Sequence, residues 1–193
     1  MLDRSANDAI ILQEKKMRIE TNIKIIEQLS RHRKDANWTF RCFLKGADVS
    51  AARIDSTVHD LNKEVSTQID CTQCGNCCKV IQPDLSVTDI KRLARQFELT
   101  TSEFRMRFLL KNDEGEGFVF NKQPCPFLEN NRCEVYENRP RDCRSYPHLH
   151  KRDFIFKINQ AVSNCSICPI VFNVYEGLKQ TLWPPRLKYI WRA

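Results

Sequence analysis

Glycine is scarce in this chain of 193 residues: there are five, at positions 46, 75, 115, 117 and 177. So few glycines leave no Gly-rich phosphate loop and no G-x-G-x-x-G turn for a dinucleotide, which excludes many nucleotide-dependent enzymes. Long hydrophobic runs are also missing. A membrane span takes about 20 apolar residues and a secretory leader about 7–15, whereas the opening MLDRSANDAIILQEKK offers only Ile10 to Leu12. A cytoplasmic protein with no membrane contact is expected. Histidine is thin, at four residues. The carboxylates near the later motifs (Asp70, Asp84, Asp89, Asp142 and Asp153) show no pairing suited to general acid and base, so no catalytic residue is assigned.

What the chain has in quantity is cysteine. Of ten, four fall within eight positions, Cys71-Thr-Gln-Cys74-Gly-Asn-Cys77-Cys78. Disulfides explain this run poorly, because a disulfide wants Cα atoms about 5.5 Å apart with matched Cβ directions. Thiols two residues apart can instead turn toward one ion, with Gly75 letting the backbone bend. Five more follow in Cys125-Pro-Phe-Leu128, Cys133, Arg139-Pro-Arg-Asp-Cys143-Arg-Ser-Tyr-Pro147 and Cys165-Ser-Ile-Cys168-Pro169. Four ligands per site is the rule for structural zinc and for cubane clusters. The nine candidate metal ligands Cys71, Cys74, Cys77, Cys78, Cys125, Cys133, Cys143, Cys165 and Cys168 suffice for two such sites with one to spare. Adjacent side chains point apart, so Cys77 and Cys78 serve different centres or one is spare. Arg139 and Arg144, beside Cys143, are candidate cofactor-binding residues, since guanidinium groups offset thiolate charge. His148 and His150 could join a mixed site, but nine thiols do not need them. The formal charge of +7 falls to about +3 with two centres of net charge −2, so a solvated basic surface explains it and nucleic-acid binding is not expected.

The organisation follows from periodicity. Residues 1–66 contain no proline and one glycine, Gly46, and predict helices over about 6–33, 36–45 and 48–66. Cys42, alone between Arg41 and Phe43, is expected to be a buried structural cysteine. The helical N-terminal region, 1–68, precedes a cysteine-cluster metal domain over 69–183 and a basic aromatic tail over 184–193. Ser86-x-x-Asp89 and Thr100-x-x-Glu103 have the form of helix starts. Phe118 and Phe120 predict a short strand, as does the alternation Phe154, Phe156, Ile158, and Pro169 opens a last helix that ends at Trp183. The expected fold is α-rich α+β: a helical arm packed on a small metal domain with short strands and long ligand loops. The alternative to this packing is that the N-terminal helices meet a protein partner or a second copy of the chain.

The order Cys71-x2-Cys74-x2-Cys77-Cys78, Cys125-Pro-Phe-Leu, Cys133-x-Val-Tyr136, Arg139-Pro140 and Cys143-Arg-x-Tyr-Pro147 resembles the YkgJ-type cysteine-cluster family over about residues 69–169. That resemblance implies a zinc- or iron-chelating domain. Flagellin lysine methylases contain a similar cluster domain, but this chain shows no separate cofactor-binding region for methylation. The x2 spacings of Cys71, Cys74 and Cys77 are like a ferredoxin's wrap around a cubane, with Cys125-Pro126 or Cys168-Pro169 as the distant ligand. The C-x3-C-x2-C of radical enzymes does not occur. The expectation is a 4Fe–4S iron–sulfur protein with a redox or partner-supporting role. The alternative is a zinc-stabilised interaction module without catalysis, because the CxxC pairs at 71–74 and 165–168 also suit Zn2+.

Overall fold

A computed structural model of the chain describes residues 17–113 and 117–184. The first helix, α1, spans Ile23–His32 and is capped by Asn22, whose side chain accepts from the amides of Lys24 and Ile25. The expected helix over 6–33 is therefore corrected. Residues 6–16 lie outside the described residues, and 17–22 are not helical. Two hydrogen bonds hold that stretch against the last helix instead: the Glu20 amide donates to Asn173 Oδ1 (2.9 Å), and Asn173 Nδ2 donates to the Glu20 carbonyl (2.7 Å).

Helices α2 (Lys34–Gly46) and α3 (Ala51–Ser66, capped by Ser50) follow. They do not pack mainly on the segment that comes next. Their apolar faces, Phe40 and Leu44 on α2 and Ile54, Val58 and Val65 on α3, meet Ile158 on the penultimate helix and Val174, Tyr175 and Leu178 on the last. Each such side chain contributes about 1.5–3 kcal/mol on burial. The approach of α3 to the last helix is close at Gly177, where a Cβ would lie 2.8 Å from Leu61 Cδ2.

The penultimate helix occupies the segment expected to be a strand. Phe154–Asn164 is helical, and its buried residues, Phe154, Ile158, Ala161 and Val162, recur at the helical period. The alternation that suggested a strand depended on Phe156, which is 82% exposed. Cys42 is also corrected: it is exposed, with the Arg41 guanidinium 3.6 Å from its sulfur. It lies outside the apolar stripe of Phe40 and Leu44.

A second core forms in the middle of the chain. Two short helices, Val87–Gln96 and Thr101–Phe108, each begin with a complete capping box, Ser86/Asp89 and Thr100/Glu103. They pack on the hairpin of β1 (Leu109–Lys111) and β2 (Phe118–Phe120), which pair antiparallel with Leu109 opposite Phe120. Phe97, Phe104, Phe108, Phe120 and Phe127 fill the space between them, each ring within 5.0–5.4 Å of a neighbour. Such pairs add about 0.5–1.5 kcal/mol beyond area burial.

The remaining elements are small and carry the cysteines. They are α4 (Cys71–Cys74), α5 (Asn76–Val80), β3 (Leu128–Glu129), β4 (Arg132–Cys133) and a five-residue helix, Arg141–Ser145. In chain order Val87–Gln96 is α6, Thr101–Phe108 α7, Arg141–Ser145 α8, Phe154–Asn164 α9 and Pro169–Leu182 α10. The fold is α-rich α+β, with two two-stranded sheets among the described residues. No described helix is long and apolar enough to cross a membrane.

Candidate metal centre

Gly75 sets the geometry of the first cysteine run. It ends α4 in the left-handed region at φ 57° and also precedes α5, so the chain turns between Cys74 and Cys77. A Cβ there would lie 2.5 Å from the carbonyl oxygen of Asn131, so glycine also allows the β3–β4 turn to press on the run. That turn is two residues, Asn130 and Asn131, both with positive φ, as a type I′ hairpin requires. The hairpin places Cys133 opposite Leu128. Cys125, just upstream, donates its amide to the Cys78 carbonyl (2.8 Å).

Cys143 is delivered by a different device. Asp89, 2% exposed, accepts from the Ser86 amide and hydroxyl, from Arg92 and from the amide of Arg141. Arg92 in turn donates to the carbonyls of Asn138 (3.2 Å) and Arg139 (2.9 Å). Helix α6 thus fixes the loop that leads into α8 and Cys143. Burial opposes ionisation of Asp89, but the bonds from Ser86, Arg92 and Arg141 outweigh it and hold the carboxyl below its ordinary value. The sequence marked Asp89 as a helix start and gave Arg92 no role. Asp70, in sequence only an unpaired carboxylate, caps α4 through the Thr72 amide and hydroxyl.

Between the two cores lies a cavity of about 450 Å³. Six thiols line it: Cys71, Cys77, Cys78, Cys125, Cys133 and Cys143. Arg139 and Arg144 line it too. Arg139 is half-buried with its guanidinium 3.6 Å from the Tyr136 ring centre, and its charge reaches Cys71 and Cys133. Arg144 is exposed. Cys74, Cys165 and Cys168 are not part of the lining. Cys168, at the N-terminus of α10, is within reach of the charges of Cys71 and Cys74. Cys165 is buried in the helical core, where the charges of Lys179 and Glu176 act on it. His150 reaches the cavity wall, whereas His148 pairs with Asp142 (3.2 Å).

All ten cysteines are free. Burial pushes the thiols of Cys125, Cys143 and Cys168 up to about 12. The Cys77 thiol donates a hydrogen bond to Cys78 and lowers the Cys78 thiol, while Cys77 itself is raised by that bond and by burial. A cation entering here replaces several protons. Backbone amides already point at the sulfurs, from Phe127 to Cys125, from Val135 to Cys133, and from Val171 and Ile170 to Cys168. The Tyr146 hydroxyl is buried without a nitrogen or oxygen partner and lies against Cys168 and Cys77. A thiol-rich cavity whose sulfurs already receive backbone amide and tyrosine donors fits a sulfur-ligated metal group. Among the described residues no three His, Cys, Asp or Glu side chains converge on one point as a lone ion would need.

Searches of the curated proteins and of the solved structures returned no match. A family model does match, over residues 70–169: CxxCxxCC, described as a putative zinc- or iron-chelating domain. That span covers more than half of the sequence and all nine clustered cysteines, so the chain belongs to the CxxCxxCC family and is a metal-binding protein.

Proposed function

We propose that the chain is an iron–sulfur protein whose clustered cysteines hold a 4Fe–4S group, with a redox or partner-supporting role. The observation that supports this reading is the number of thiols on one cavity wall, six. A single zinc ion takes only four sulfurs, each about 2.3 Å from one point. A cubane presents a separate iron to each thiolate, so its ligands stay apart. Four of the six cysteines lining the cavity would hold the group, Arg139 and Arg144 would offset its charge, and the Tyr146 hydroxyl would donate to a ligand sulfur. When bound, the group supplies one-electron chemistry, and donors on its sulfurs raise its potential.

The same reading places the protein in the cytoplasm, where thiols are kept reduced, and gives the N-terminal helices the contact with a protein partner. Protein purified without oxygen is expected to be brown, with iron and acid-labile sulfide in equal amounts. Colourless protein with stoichiometric zinc would overturn the iron–sulfur assignment in favour of a zinc-stabilised interaction module.

A further inference from the structure

We propose that α2 and α9 together form a docking face for an acidic amphipathic helix of a partner protein. This rests on the partner contact given to the N-terminal helices and not on the choice of metal.

Helix α2 turns Phe40 and Leu44 to the core, and α9 turns Phe154, Ile158, Ala161 and Val162 to it. Their outer faces are neighbours, because the Arg41 guanidinium donates to Asn159 Oδ1 at 2.7 Å. Around that bond the side chains follow helical spacing. Lys34, Trp38, Arg41 and Lys45 form a stripe on α2. Phe156, Asn159 and Ser163 form one on α9, with Arg152 just before its first turn. Each stripe shows an aromatic ring to solvent, Trp38 at 38% and Phe156 at 82% exposed, and neither ring joins a core. Tryptophan, tyrosine and arginine carry much of the binding energy where proteins meet, and here Trp38 and Arg41 stand together.

Charge names the partner. Lys34, Lys45 and Arg152 are exposed and Arg41 half-buried. None of the four pairs with a carboxylate among the described residues, in contrast to Arg33, Arg92 and Lys179. Asp35 and Asp153, beside the stripes, offset only half of this charge. A second copy of the chain placed symmetrically on the face would set cations against cations, which is repulsive. A furrow between two packed helices accepts a third helix, whose apolar residues one and two turns apart meet Trp38 and Phe156. Its carboxylates then meet the four cations.

Other polyanions fit the face less well. The Arg41 guanidinium lies 5.5 Å from the Trp38 ring centre, and most of that side chain is covered, so little of the ring is left for a base to stack on. Only Phe156 projects well into solvent, whereas a helix lying in a bilayer surface needs a continuous apolar face.

The test uses full-length, metal-loaded protein. The probes are a fluorescent acidic peptide with leucines at helical spacing and glutamates between them, the same peptide with lysine for glutamate, and a single-stranded oligonucleotide. Vesicles of phosphatidylcholine and phosphatidylserine are tested by flotation. The acidic peptide should bind at a single site, more weakly as salt is added, and the lysine peptide should not bind. Phe156→Ser, and Lys45→Glu combined with Arg152→Glu, should each weaken the acidic peptide about tenfold or more. Metal content should stay unchanged, and circular dichroism verifies folding, which these exposed positions leave intact. Lys63→Glu and Lys91→Glu, exposed cations on α3 and α6, should have no effect. Equal binding of the two peptides, or full binding by the stripe variants, would overturn the proposal. So would tighter binding of the oligonucleotide or vesicles through the same residues, or a dimer that Phe156→Ser dissolves. Stoichiometric zinc with these peptide results would end the iron–sulfur reading and leave the docking face standing. An intact cluster without peptide binding would do the reverse.

Discussion

Gly75 answers two demands at once, a left-handed backbone and the approach of Asn131. Replacing it with alanine costs about 1–2 kcal/mol for the conformation alone, and the clash with the hairpin turn adds to that. Gly75→Ala is therefore expected to lower the urea midpoint and to reduce metal content per chain, both measurable on the same preparation. The sequence already pointed to a bend at Gly75, because a glycine between metal-spaced cysteines implies one. The contact with Asn131 was hidden, since nothing in Asn130-Asn131 says which part of the chain the turn will touch. Arg139 and Arg144 illustrate the same limit. Both neighbour Cys143 in sequence, but only Arg139 is half-buried against Tyr136 with its charge reaching two of the thiols.

Helix α6 acts as an anchor for a loop it does not adjoin in sequence. Removing Asp89 leaves Arg92, which has 24% of its side chain exposed, without its counter-charge. Asp89→Ala is expected to cost about 3 kcal/mol, the low end for a broken buried pair, and to lower metal retention because the approach to Cys143 is released. Arg92→Ala should loosen the same loop, through loss of the Asn138 and Arg139 carbonyl contacts. Calorimetry and metal analysis of both variants check this. The pH dependence has a definite sign. Because folding holds the Asp89 carboxyl below its ordinary value of 3.8, its stabilisation is fully present above that value and is lost as pH falls below it. Asp89→Asn should therefore flatten the acid limb of the stability curve below about pH 4. The helix starts at Ser86 and Thr100 were readable because capping is a local chemistry. The strand expected over 154–158 failed because three residues cannot separate a period of 2 from one of 3.6, and the later buried positions, Ala161 and Val162, settle it as α9.

The molecule has two modest cores, one of helices from both ends of the chain and one of phenylalanines from its middle, and the thiol-lined cavity lies between them. Small cores are marginal alone, and a structural metal site adds on the order of 10 kcal/mol. The metal-loaded protein is expected to unfold in one calorimetric transition. Chelated and kept reduced, it should unfold at lower temperature and in separate steps, one per core; a single unshifted transition would contradict this. Nine cysteines spread over residues 71–168 announced that distant segments meet. The joining of α2 and α3 to α9 and α10 was not readable, because Phe40, Ile54 and Tyr175 each announce only an apolar face and not which face it covers. That joining also dictates when the protein can be completed. Helix α10 supplies Tyr175 and Leu178 to the helical core, and Cys168 stands at its start. On a growing polypeptide the early helices emerge from the ribosome with no surface to settle on. Completion of the helical core therefore waits until α10 has been translated, and until then the apolar faces of α2 and α3 stay bare.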